Sequence, residues 1–298
     1  MFGKKKRIAK EGPGPFDNSC YWEKGDYKIH YRIDPAKGDE KAKFFILHGF
    51  WMNTMFYDEL VEELTDKGFT CYRADLPSFG WSTRETKDIH YVPSKELICD
   101  MVADLDDGSG FILYGHSMGG SVAMEVAAMD EGHVKALILN APMFMRNSNK
   151  RQAERFMSDR IVRLLTLEAN VIKRLKRPVK LFLYAMTRDG KYARKFDTKR
   201  FTKPFEHPDA GASLGFFTGH VKKPDPKFVK KNVSVPVLYV AAEKDLFVNG
   251  RSAKQIRKAL PKGHAFEKLN NAGHCFPQAD AEKAAKLAIK FLKKEDVI

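Results

Sequence analysis

Gly115-His116-Ser117-Met118-Gly119 sets a serine midway between two glycines, each two residues away. A serine hydroxyl is a weak nucleophile near neutral pH, but a positioned base can activate it for acyl transfer. That chemistry suits a serine held on a very tight strand-to-helix turn, where flanking side chains would collide and glycines remove them. A purely structural glycine-rich turn would show the same five residues, so the surroundings decide. An apolar run, Phe111-Ile112-Leu113-Tyr114, leads into the pattern, and a stretch rich in small residues (Gly119, Gly120, Ser121, Ala123) follows it. This is the context that an exposed nucleophile requires.

The base needs an acid to orient it, and where such an elbow carries the serine the order along the chain is serine, acid, histidine. Of the nine histidines, His30, His48, His90 and His116 precede or adjoin Ser117, while His133 falls just past the following helix. His207 and His220 lie in a segment without a clear strand, which leaves His264 and His274. His264 opens the last apolar run, whereas His274 lies just beyond its end, in Asn270-Asn271-Ala272-Gly273-His274, so His274 is the expected base. The acid belongs after Val237-Leu238-Tyr239-Val240, and Asp245 is preferred over Glu243 because it leaves the loop room to turn toward the histidine. Asp75 is an alternative acid that the chain order disfavours. The developing oxyanion needs N–H donors, and Met118, directly after the serine, and Phe50, in His48-Gly49-Phe50-Trp51, are placed to provide them. Trp51, His116 and Met143 are candidate substrate-binding residues. No metal-ligand spacing is present.

These residues must be positioned by a sheet. Short apolar runs (44–47, 70–74, 111–114, 136–139, 237–240 and 265–269) alternate with helix-like stretches near 55–67, 94–106, 118–130, 251–260 and 279–294. That alternation predicts an α/β fold with a mostly parallel sheet, helices on both faces, and a site at the carboxyl ends of the strands. Tyr21 to Tyr31 reads as two further strands around a Lys-Gly-Asp turn. About ninety residues interrupt the pattern before Val237. Within them Ala153, Met157, Ile161, Leu164, Ile172 and Leu175 recur near helical spacing. The expected organisation is a loose basic tail over 1–15, a core over 16–140 and 233–298, and an inserted, mostly helical cap over 141–232 that sits above the site.

The net charge of +14 is located in that insertion: 141–232 holds 23 basic and 8 acidic residues, and the rest of the chain 29 and 30. Lys173-Arg174-Leu175-Lys176-Arg177 and the lysines from Lys222 to Lys231 could rest on an anionic membrane, each near-surface cation contributing about 1 kcal/mol. A solvated basic surface is the alternative. No nucleic-acid-binding motif accompanies the charge. The N-terminus is basic without an apolar segment behind it, unlike a secretory signal, and no apolar run reaches membrane-spanning length. The four widely spaced cysteines suggest reduced thiols and a cytoplasmic setting.

The motifs Leu47-His48-Gly49-Phe50, Asp75-Leu76-Pro77-Ser78-Phe79-Gly80-Trp81-Ser82, Gly115-His116-Ser117-Met118-Gly119-Gly120, Leu139-Asn140-Ala141-Pro142-Met143, Glu243-Lys244-Asp245 and Ala272-Gly273-His274 occur in one order along the chain. Together they resemble the α/β-hydrolase superfamily, and within it the monoacylglycerol lipase/lysophospholipase group, sometimes filed with serine aminopeptidases. The resemblance covers roughly 43–294 and implies the triad Ser117, Asp245 and His274 with oxyanion donors at Phe50 and Met118. It implies a cofactor-independent serine carboxylic-ester hydrolase acting through an acyl-enzyme on lipid-like esters. Phe50-Trp51-Met52-Asn53 departs from the small, then acidic and His-containing stretch usual in monoacylglycerol lipases, which favours a broader lysophospholipase-like or esterase activity. A short-chain carboxylesterase is the alternative, followed by an aminopeptidase, acyltransferase or thioesterase on the same scaffold.

Overall fold

A computed structural model describes residues 14–130, 132–143 and 176–298. Eight strands form one sheet in the order β1-β2-β4-β3-β5-β6-β7-β8. β1 (Ser19–Lys24) and β2 (Tyr27–Asp34) make an antiparallel hairpin, with Lys24 opposite Tyr27 and Gly25 at φ 57° in the turn. β2 lies antiparallel to β4 (Phe69–Ala74). β3 (Ala42–Leu47), β4, β5 (Phe111–His116), β6 (Val134–Asn140), β7 (Val237–Ala242) and β8 (Ala265–Leu269) run parallel.

Alternate residues of the central strands feed two cores, as the two-residue period of a strand requires. Phe45, Leu113, Leu137 and Tyr239 pack with Leu97 and Met101 of α2 (Ser94–Leu105) and Met124 of α3 (Met118–Met129). Phe44, Ile112, Ile138 and Leu238 pack on the other face with Leu60 and Leu64 of α1 (Asp58–Thr65).

Between β6 and β7 the described residues form α4 (Lys176–Thr187), α5 (Gly190–Lys195), α6 (Lys199–Thr202), α7 (Ala210–His220) and α8 (Pro226–Asn232). The periodic stretch from Ala153 to Leu175, and the cations Lys173 and Arg174, lie outside the described residues. α8 buries Val229 in the same core as α2 and α3, so it belongs to the layer flanking the sheet although its composition groups it with the basic insertion. The chain ends with α9 (Gly250–Ala259), α10 (Phe276–Ala279) and α11 (Ala281–Lys294), the last burying Ala284, Ala288 and Leu292 beside α1.

Candidate active site

Ser117 directly follows β5 and precedes α3, with φ 53° and ψ −116°. A non-glycine residue in that region is strained and persists because its surroundings fix it. The carbonyl of Asn140 accepts from the Ser117 amide at 3.0 Å, and the Ser117 carbonyl accepts from Gly120 and Met143. The turn is tight enough that a Cβ on Gly115 would stand 2.6 Å from the Gly120 Cα, and one on Gly119 would collide with the Leu47 carbonyl oxygen. The glycine spacing seen in the sequence is thus a requirement of close α3–sheet approach.

His274 Nε2 lies 2.8 Å from Ser117 Oγ, and His274 Nδ1 lies 2.8 Å from Asp245 Oδ2. The carboxylate can only accept, so the proton sits on Nδ1 and leaves Nε2 bare to take the serine hydroxyl proton. The Asp245 side chain is 1% exposed. Burial alone would raise its pKa, but the His274 hydrogen bond and the amides of Phe247 and Val248, each 2.8 Å from Oδ1, together hold the carboxyl below its ordinary value.

The alternatives considered from sequence have other partners. Asp75 accepts from Thr54 N at 2.7 Å and Trp81 N at 3.0 Å, and its Oδ2 lies 2.7 Å from His30 Nδ1. His30 in turn meets Ser19 Oγ at 2.8 Å, so a second Ser–His–Asp chain exists, buried throughout. Glu243 accepts from the Asn271 amide and lies on the surface, and His264 Nδ1 donates to the Pro261 carbonyl.

Met118 opens α3, where first-turn amides have no intrahelical acceptor. Phe50 lies in the loop after β3. A Cβ on Gly49 would stand 3.2 Å from the Ser117 Cβ, so this loop runs against the serine. His48 fixes it, donating from Nδ1 to the Gly49 carbonyl and accepting the Leu76 amide at Nε2. Trp51 follows at φ 62°, and its ring stacks on Phe50 with centroids 5.6 Å apart.

A chamber of about 230 Å³ opens beside Ser117 and His274. Phe50, Trp51 and Met143 line it, together with Phe182, Leu183 and Met186 of α4, Phe201 of α6, and Phe247. Among the described residues no charged side chain lines it. His116, a candidate substrate-binding residue in the sequence, does not line it. It is the inward-facing last residue of β5, fully buried, and its Nε2 donates to the His274 carbonyl while its Nδ1 accepts from the Tyr57 hydroxyl. Burial, reinforced by the nearby His274, lowers its pKa to about 3 and keeps it neutral. Tyr57 and the α4 and α6 residues had no signal in the sequence, because nothing in their spacing says which face of the insertion turns inward. α4 is tied to the histidine loop: the Met186 carbonyl accepts from the Cys275 amide at 2.9 Å, and a Cβ on Gly273 would collide with that same carbonyl.

Parallel sheet, strained serine turn and hydrogen-bonded histidine together define a serine hydrolase of the α/β-hydrolase class. The sequence matches the serine aminopeptidase S33 family over residues 38–278, and the chain belongs to that family. It is 24% identical over 161 residues to human monoglyceride lipase, spanning 49% of this chain and 52% of the human one. It is 25% identical over 252 residues to a pimeloyl-[acyl-carrier protein] methyl ester esterase of Pseudoalteromonas atlantica, spanning 83% and 92%. The enol-lactonase of Burkholderia xenovorans superposes with a TM-score of 0.69 at 18% identity, covering 92% of this chain and 99% of the lactonase. The fold class expected from the strand–helix alternation is the one observed. Among the described residues no group of His, Cys, Asp and Glu could hold a metal, and no helix is long and apolar enough to cross a membrane.

Proposed function

We propose that the protein hydrolyses lipid-like carboxylic esters of the monoacylglycerol or lysophospholipid type through an acyl-enzyme on Ser117. The observation that carries this reading is the apolar, uncharged chamber beside Ser117 and His274, which suits an acyl chain. In the first half-reaction Ser117 Oγ attacks the ester carbonyl as its proton passes to His274 Nε2. Asp245 orients the ring and stabilises the imidazolium. The amides of Phe50 and Met118 hold the oxyanion, and its collapse expels the alcohol, which takes the proton from His274. Water then repeats the sequence on the acyl-enzyme and returns Ser117. The name of the human relative supports an acylglycerol substrate. An aminopeptidase is disfavoured because a substrate amine would call for a carboxylate, and none lines the chamber among the described residues.

The insertion's exposed cations, including Arg177, Lys222, Lys223, Lys230 and Lys231, support peripheral contact with an anionic membrane. So do the exposed apolar side chains Leu181, Phe182, Leu246 and Phe247 near the chamber. The four cysteines, none of them in a disulfide, fit a reducing, cytoplasmic setting.

The test is a panel of p-nitrophenyl esters, monoacylglycerols and lysophospholipids of graded chain length, run with wild type and Ser117→Ala. Long-chain monoacyl esters should be preferred, and the variant should lose at least about 10⁴-fold in kcat/KM with its fold intact. Preference for acetyl and butyryl esters would make the protein a short-chain carboxylesterase, and retained activity in Ser117→Ala would end the proposed mechanism.

A further inference from the structure

Behind the chamber lies a second cavity of about 20 Å³, and Trp51, Met52 and Phe201 border both. These three side chains are therefore the partition between the two spaces. Trp51 belongs to the loop that carries Phe50 and has a strained backbone, so its position is bound up with the oxyanion donors. Met52 is flexible and yields easily. Phe201 is different: it comes from α6, is buried, and is wedged among rings, with centroids 6.3 Å from those of Trp51, Phe56 and Phe182 and 5.7 Å from that of Phe205.

The segment bearing Phe201 is fastened to the core on both sides of that residue. Arg200 Nη1 donates to both oxygens of Glu59 in α1, at 2.7 and 2.9 Å, and Nη2 lies 3.6 Å from Asp58. Asn53 Nδ2 donates to the Arg200 carbonyl at 2.8 Å. Arg84 Nη2 donates to the Pro204 carbonyl, also at 2.8 Å. One guanidinium nitrogen spans the Glu59 carboxylate while the other faces Asp58, and such charge-assisted hydrogen bonds are stronger than neutral ones. Two backbone carbonyls and one guanidinium thus fix a short helix whose next side chain is the partition.

We propose that Phe201 is the end-stop of the acyl chamber and sets the longest acyl chain the enzyme accepts, with Arg200 as the residue that positions it. The inference rests on the lipid-ester reading above and names the feature that decides chain length within it. Deleting the Phe201 ring joins the chamber to the cavity behind it and lets further methylenes bury against Phe205 and Leu214.

The experiment measures the rate at which butyl, octyl, dodecyl and hexadecyl fluorophosphonates inactivate Ser117 in wild type, Phe201→Ala, Phe201→Leu, Arg200→Met and Arg200→Lys. Thermal melts are taken alongside. Phe201→Ala should raise the hexadecyl-to-octyl rate ratio about tenfold, as two or so extra buried methylenes would. Phe201→Leu should give a smaller rise and decides the matter if the alanine variant fails to fold. Arg200→Met should shift the ratio in the same direction, and Arg200→Lys, which keeps a charged donor for Glu59 but lacks the second nitrogen facing Asp58, should restore it in part. A merely structural role for Arg200 would lower all four rates in parallel, leave the ratio unmoved, and overturn its assignment. Ratios equal to wild type in both Phe201 variants, with wild-type Ser117 labelled briskly, would overturn the end-stop alone. Failure of wild-type Ser117 to react with any of the reagents would overturn the lipid-ester reading, and this proposal with it.

Discussion

The Asp245 carboxylate accepts from His274 and from two backbone amides, and its low pKa reflects those partners prevailing over burial. Because its folded pKa lies below the unfolded one, the ionised group stabilises the fold above the ordinary carboxylate range. That contribution is lost as pH falls through the folded value. Asp245→Asn should therefore flatten the acid limb of a melting-temperature–pH profile. It should also lower kcat by about 10⁴-fold by removing the acceptor that sets the His274 tautomer. His116 titrates over a different window. Its folded pKa of about 3 lies below the ordinary histidine value of 6.5, so the unfolded chain binds a proton between those limits and the native state does not. Stability should fall as pH drops through that range, and a His116→Gln variant should lack this component of the slope. A slope unchanged in the variant would show that His116 is protonated in the native protein.

At the scale of elements, the site depends on how closely α3 and the flanking loops approach the sheet. Gly119 faces the Leu47 and His48 carbonyls, so Gly119→Ala must push α3 away from β3 or bend the elbow. The expected cost is about 1–3 kcal/mol by urea denaturation, with a disproportionate fall in kcat as Met118 N moves. Asp75 joins two elements: it receives the Thr54 amide, just past the Phe50 loop, and the Trp81 amide of the following loop, which wraps it so tightly that a Cβ on Gly80 would overlap the carboxylate. Asp75→Asn should destabilise the fold, and because the amide can no longer accept from all its present donors, kcat should fall with KM nearly constant. A loss confined to KM would mean that Asp75 does not hold the oxyanion loop.

For the molecule as a whole, the excess of positive charge in 141–232 predicts an ionic-strength-dependent association with lipid. Cosedimentation with phosphatidylglycerol-containing vesicles should rise with the anionic fraction and fall steeply as salt is raised, since surface charges are screened beyond about 10 Å at 0.1 M salt. Reversing Lys230 and Lys231 on α8 to glutamate should weaken this binding while leaving turnover of a soluble short-chain ester unchanged. Equal binding to neutral vesicles would reduce the basic surface to a solvation role.

The strand–helix alternation and the serine–acid–histidine order were legible in the sequence because both are local or ordinal. An apolar run followed by a glycine-flanked serine specifies its own turn. The loop beyond the last strand picks out His274 over His264 because strand ends are where parallel sheets open. Contacts between segments distant in the chain were not legible. Tertiary structure alone decided that His116 turns beneath the site rather than into it, that Asp75 is engaged by His30, and that Phe182 and Phe201 face the chamber while Leu181 faces solvent. The reason is that residue type and spacing fix which positions of a helix are apolar, whereas only its docking against other segments selects which of those line a cavity.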